Sequence, residues 1–170
     1  ELTVQNLRLR SGSTLQLSSQ ATVREALNPD SLRIDFTLDS LQAQLQPLNR
    51  LLRGILPAEA LALQQIDYRA RYQGSLTGGQ LDGNLQSALG QLSHAVEAAF
   101  NADYSDGSYD ATVDLADFDL GPLLANDTLG QVSLQAQVNG QGLDPAQMDT
   151  RYRVEFQRLD LFGYAYQPFS

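Results

Sequence analysis

The reading of the fold turns on Tyr109–Pro145, YDATVDLADFDLGPLLANDTLGQVSLQAQVNGQGLDP. Tyr109, Ala111, Val113 and Leu115 alternate with Asp110, Thr112 and Asp114, and Val132, Leu134, Ala136 and Val138 alternate with Ser133, Gln135 and Gln137. A period of two places apolar side chains on one face of a strand and polar ones on the other. Between the two runs, Asp117–Gly130 has no such period. Gly121-Pro122 ends the extended run, and Leu123-Leu124 reads as one apolar turn tucked against the sheet. Asn139–Pro145 reads as a glycine-rich turn. Two strands joined by a short connection pair antiparallel.

The rest of the chain repeats this pattern on both sides. Leu2 and Val4 are followed by Leu7 and Leu9, so the parity changes at Asn6, which predicts a bulge or bend there. After a turn at Ser11–Ser13 come Leu15, Leu17, Ala21, Val23 and Leu27, closed by Asn28-Pro29-Asp30. Leu32, Ile34, Phe36 and Leu38 alternate with Arg33, Asp35, Thr37 and Asp39, and Leu41, Ala43 and Leu45 continue after a kink. Pro47–Leu56 differs: Leu48, Leu51, Leu52 and Ile55 form a helical stripe between Pro47 and Pro57. Ala58–Leu63 is a weaker helical segment. Strands return with Ile66, Tyr68, Ala70 and Tyr72, then Leu81–Leu89, then His94–Tyr104. A hairpin turn at 105–108, of the Asp-Gly kind, leads into the Tyr109 strand. Tyr152, Val154 and Phe156, then Leu159 and Leu161, make the last strand, and the tail carries Tyr164, Tyr166 and Phe169.

The chain therefore reads as all-β with one short helix, a meander of about nine to twelve mostly antiparallel strands. No β-α-β alternation and no repeat of fixed length is visible. One-sided strands must bury their apolar face. A second sheet, closure into a barrel, and a curled sheet whose concave face holds a ligand all satisfy that requirement.

Composition narrows the partners. At 170 residues the chain is one domain or a piece of a longer array. Its net charge of −9 and pI near 4.3 argue against nucleic acid and against peripheral binding to anionic lipid heads. The absence of cysteine excludes disulfides, cysteine-based zinc sites and thiol nucleophiles. No run reaches the ~20 apolar residues of a membrane span, and no signal peptide is recognised. The sequence starts within a strand, which suggests an excised part of a longer chain.

Candidates for chemistry are sparse. His94 is the only histidine; it lies on the apolar parity and reads as a strand-end residue near an edge, without the partners of a triad or a zinc site. Asp103–Asp110 departs from calcium-loop spacing and reads better as a hairpin turn. Asp117, Asp119, Asp127 and Asp144 invite a carboxylate-pair reading, but turns favour aspartate for local hydrogen bonds. Gly78-Gly79 and Gly140-Gln-Gly142 lack the context of a phosphate loop, and Asn126-Asp-Thr128 is a glycosylation sequon by pattern only. The sequence assigns no catalytic residue, metal or cofactor.

The ordered segments also resemble a family. Ser31–Ala60 is similar to a strand–strand–helix segment, and Tyr72–Leu92 resembles a G-x-L-x-G-x-L stretch of the TamB/AsmA-like envelope proteins, in the repeat form of Bacteroidetes-type bacteria. Tyr109–Leu124 and Leu159–Ser170 resemble, in order, its F-D-L-G-x-L-L and L-x-L-x-G-Y-x-Y elements. The resemblance implies a taco-like or groove-like sheet with an apolar concave face, a β-sandwich being the alternative. It implies a non-enzymatic module of a periplasmic lipid conduit, anchored in the inner membrane in the full-length protein. Phospholipid acyl chains, neighbouring repeats of the same chain and a BamA-type outer-membrane barrel are the implied partners, with a role in outer-membrane protein assembly. The lining of such a groove is read as Leu32, Ile34, Phe36, Leu38, Ile66, Tyr68, Tyr72, Val96, Phe100, Tyr109, Val113, Leu115, Val132, Leu134, Val138, Val154 and Phe156. A second reading is a β-sandwich or open-edged scaffold that binds a protein partner through the strands at 2–9 and 152–161.

Overall fold

The computed structural model describes residues 2–28, 31–101, 106–142, 149–166 and 168. Strands β1 (Leu2–Ser11), β2 (Leu15–Arg24) and β3 (Arg33–Gln44) precede two short helices, α1 (Leu45–Leu51) and α2 (Ala58–Ala62). Strands β4 (Gln65–Gly74), β5 (Gly78–Ser87), β6 (Gly90–Phe100) and β7 (Gly107–Asp119) follow. Helix α3 (Leu120–Leu124) separates β7 from β8 (Leu129–Gln141), and β9 (Asp149–Leu161) and β10 (Tyr164–Tyr166) complete the order.

All ten strands form one antiparallel sheet in sequence order, β1 through β10. The edges, β1 and β10, are not paired with each other, so the sheet is open. A sandwich would need a second sheet, and none is formed by the described strands. The meander follows from mostly short connections, and the long one, 45–64 with α1 and α2, still returns the chain beside β3.

Apolar residues spaced by two account for most of each strand; those spaced by three mark its bulges. Val4 and Leu7 lie opposite Ala21 and Ser19, so β1 carries one extra residue, with Asn6 at φ 55°. Leu38 and Leu41 lie opposite Ala70 and Tyr68. Leu115 and Phe118 lie opposite Leu134 and Val132, with Asp117 at φ 47°. Leu134 and Val132 in turn face Phe156 and Leu159 of β9. An inserted residue resets the parity, so the apolar residue three positions on returns to the same face. The kink expected after Leu38 and the bend at Asn6 are these bulges.

The helical segments are three rather than one. Helix α1 begins at Leu45, earlier than Pro47, and ends at Leu51, where Gly54 and Leu56 fold back onto the Asn49 carbonyl and side chain. The apolar turn at Leu123-Leu124 is a full helical turn, α3. The Asp119 side chain accepts from Gly121 N at its start, and Ala125 at φ 49° stops it. Strand β8 runs on through Asn139-Gly140 to Gln141 and absorbs the first part of the expected turn; 143–145 lie outside the described residues, as do 102–105 and Phe169. Strand β6 ends at Phe100.

The buried core is small and lies mostly where the helices meet the sheet. Val132 is 1% exposed and Phe118 3%; Ala43, Leu45 and Leu89 are also buried. Backbone bonds lock this end: Leu45 N to Gln64 O, Ala88 N to Leu63 O and Asp119 N to Leu89 O. On the polar face, glutamine amides donate to acids directly opposite them. Gln73 pairs with Asp35, Gln42 with Asp67, Gln80 with Glu97 and Gln135 with Asp114. Many carboxylates are thus satisfied without cations, which is how an acidic chain of low charge density builds this face.

Two outcomes test this account. Val132→Ala should cost about 2 kcal/mol, because it empties a closed site, and lower Tm by roughly 4–8 °C in calorimetry. Arg158 donates two hydrogen bonds to Asp160 and lies 3.7 Å from Asp117 at the β7 bulge. The Arg158 hydrogen bonds hold the Asp160 carboxyl below its ordinary value. A depressed carboxyl contributes stability above its unfolded pKa and loses it as pH falls through the folded one. The Tm difference between wild type and Asp160→Asn should therefore be present at pH 7 and vanish once the carboxyl protonates. Its persistence in acid would show that the carboxylate charge is not involved.

Candidate functional site, an open apolar sheet face

Register gathers the apolar residues into continuous lines across the sheet. One line runs through Val4, Ala21, Phe36, Tyr72, Leu81, Val96, Ala111, Val138 and Tyr152, one residue from each of β1 to β9. The next contains Ser19, Leu38, Gly83, His94, Val113 and Val154, and the one after it Leu41, Tyr68, Leu85, Leu115, Leu134 and Phe156. Ile34 and Tyr109 lie toward one end of the strands, and Phe100 lies opposite Gly107 there. Ile66 and Val132 lie toward the helices. Nine strands about 4.8 Å apart give a contour of roughly 40 Å. Among the described strand residues, no Asp, Glu, Lys or Arg belongs to these lines.

This face is not filled like a core. Most of its residues are half-buried, shielded by neighbours in the same sheet. Toward the edges exposure rises, to 61% at Leu2 and 80% at Tyr152. The whole chain exposes 11195 Å², against roughly 8,200 Å² for a compact monomer of its mass. That excess is what an open sheet with one uncovered apolar side produces. Of the residues read as lining, Leu38 and Val132 are buried and have little surface to offer. Leu32 precedes β3 and is buried as well. The others named above are half-buried and share the one face. Leu81, Leu85, Leu92, Ala111 and Tyr152 belong to it too; their strands show the same alternation, and only the register reveals that they line up.

Three tyrosine hydroxyls on this face are tied back to the protein. Tyr109 Oη lies 2.5 Å from Thr150 Oγ1, across Gly140. A Cβ at Gly140 would come within 2.5 Å of that hydroxyl, so the tyrosine ring occupies the space a side chain would have used. Tyr72 donates to the Ser75 carbonyl. Tyrosines placed this way present ring faces while their hydroxyls are satisfied.

His94 lies mid-strand in β6, opposite Gly83 and Val113, and not at a strand end or near a sheet edge. Its Nε2 lies 2.8 Å from Tyr68 Oη, with the rings stacked at 6.0 Å. Both crowd Gly83, where a Cβ would meet His94 Nε2 at 2.5 Å and Tyr68 Oη at 2.8 Å. Burial pushes the Tyr68 phenol up, so it stays protonated.

Two of the acidic residues weighed for chemistry have structural partners: Asp119 caps α3, and Asp117 bonds Ser133 and faces Arg158. Asp127 makes no side-chain hydrogen bond or ion pair among the described residues, and its neighbour Asn126 closes a turn with Thr128. Asp144 lies outside the described residues. No cluster able to hold a metal occurs among the described residues. A polar cavity of about 710 Å³ at the helix-bearing end is lined by Gln16, Gln42, Asp67, Gln86 and Asp119, among others, with Gln42 and Asp67 already bonded to each other.

An uncovered wall should tolerate a charge that a core cannot. Leu134→Asp keeps its carboxylate in water, so it should fold with Tm lowered by less than about 10 °C, whereas Val132→Asp should abolish the cooperative transition. Unfolding of both would show that the wall is ordinary core. No family model, curated protein or solved structure matches this chain.

Proposed function

We propose that this chain is a non-enzymatic module of a lipid conduit, shielding phospholipid acyl chains on its apolar sheet face as they cross the periplasm between inner and outer membranes. The observation that supports it is a charge-free apolar face, continuous over nine strands and left without a covering layer. Each methylene moved from water onto such a face gains about 0.8 kcal/mol. Several would stabilise a chain in transit without any specific polar site. Headgroups stay in water at the open side, and the polar face keeps the module wetted outside. In this reading neighbouring repeats continue the sheet, the full-length protein is anchored in the inner membrane, and a BamA-type barrel receives the far end, with a contribution to outer-membrane protein assembly.

A second reading is favoured by one observation. The outer edge of β1 is unpaired and its Leu2, Val4, Leu7 and Leu9 are exposed, while β10 covers β9 only at Leu159–Leu161. Such edges accept a further strand, so the chain would be a scaffold for an envelope protein partner.

Native mass spectrometry of the purified protein, with lipid extraction in parallel, separates the two. The conduit predicts bound phospholipid that is lost in Phe36→Asp while the fold persists. A folded, lipid-free protein that self-associates with rising concentration, and is dispersed by Leu7→Lys on β1, would overturn it in favour of the edge scaffold.

A further inference from the structure

His94 is the one residue of the apolar face with ring nitrogens, among the described strand residues. It is set inside the wall, with Leu92 and Gly90 on its face toward the helices and Val96, Ala98 and Phe100 toward the other end of β6. At about 3.4 Å per residue that is roughly 14 Å of wall on the first side and roughly 20 Å on the second. Tyr68 engages Nε2. In the tautomer in which the Tyr68 hydroxyl donates to Nε2, the ring proton lies on Nδ1. Nδ1 has no hydrogen-bond partner among the described residues, and the residue is half-buried. An apolar face that needed only to shield methylenes, or to fill the space above Gly83, would be served by phenylalanine at this position.

We propose that His94, oriented by Tyr68, is a headgroup site for a single-chain fatty acid lying along the wall, with Nδ1–H donating to its carboxyl group. The ligand class follows from what surrounds the donor. A phosphate monoester or diester held in the wall would call for Arg or Lys, and none is on this face in the described strands. One carboxyl group can be held by a single imidazole, and a twelve-carbon chain fits within the roughly 14 to 20 Å of wall on either side of His94. A phospholipid with its head at the open side would leave His94 untouched. The site rests on the reading of the face as a lipid groove, and it adds the kind of lipid and the residue that selects it.

Sodium laurate and methyl laurate test it, because they share a chain and differ in the carboxyl group. The protein has one histidine, so its imidazole nitrogen resonances are assigned without ambiguity. Laurate should shift the Nδ1 resonance and bind wild type about ten- to a hundred-fold tighter than the ester, the range of a hydrogen bond to a charged group. His94→Phe, which still covers Gly83, should bind laurate and ester alike, and Tyr68→Phe should weaken laurate alone. If laurate and ester bind wild type equally and the imidazole resonances do not move, the headgroup site is wrong and the groove reading stands. If neither binds, the groove reading fails and this site with it. The resonance measurement needs no variant, so poor folding of His94→Phe would leave the outcome decided.

Discussion

Everything in this structure depends on keeping apolar side chains on one face of a long, single sheet. A strand reverses its faces with every residue, so a sheet of this span loses its apolar side wherever the parity slips by one. The chain absorbs such slips by bulges. Asn6 in β1, the Asp39-Ser40 region of β3 and the Ala116-Asp117 region of β7 each add one residue between two inward apolar ones. Bulges also increase local twist and bend the strand that carries them. The device that preserves the apolar face therefore also curls it.

The second constraint is that no layer covers the sheet among the described residues. Three helical pieces lie at one end, and Leu45, Leu89, Phe118 and Val132 complete the buried core there. The remaining wall is half-buried by its own neighbours. Three tyrosine hydroxyls on it are directed back at the protein: Tyr109 to Thr150, Tyr72 to Ser75, Tyr68 to His94. A wall with no acidic or basic side chain among the described strand residues, and with three of its tyrosine hydroxyls bonded, offers little to a polar substrate and much to a hydrocarbon chain. That asymmetry supports the proposed lipid conduit over a catalytic reading.

The outer face is built by a different logic. Acids outnumber bases by 20 to 11, yet directly opposed glutamines satisfy several of the carboxylates. Neutral donors of this kind hold strands in register without depending on surface ion pairs, whose net contribution is small.

By itself the sequence determined the strand content, the sequential meander and the identity of the inward residues, because alternation is a local property and mostly short connections keep successive strands beside each other. It also announced the bulges, since Val4-Leu7 and Leu38-Leu41 break the period of two in plain view. It did not distinguish open sheet from sandwich: both use the same one-sided strands, and only the spatial order of all ten decides whether the apolar face meets another. Nor did it place His94, whose parity is visible but whose partners are not. Tyr68 and Gly83 come beside it through two successive strand pairings, β4 with β5 and β5 with β6. Leu32, Leu38 and Val132 share the alternation of the wall, yet they are buried. Burial depends on what packs against a residue, and that is settled by tertiary structure alone.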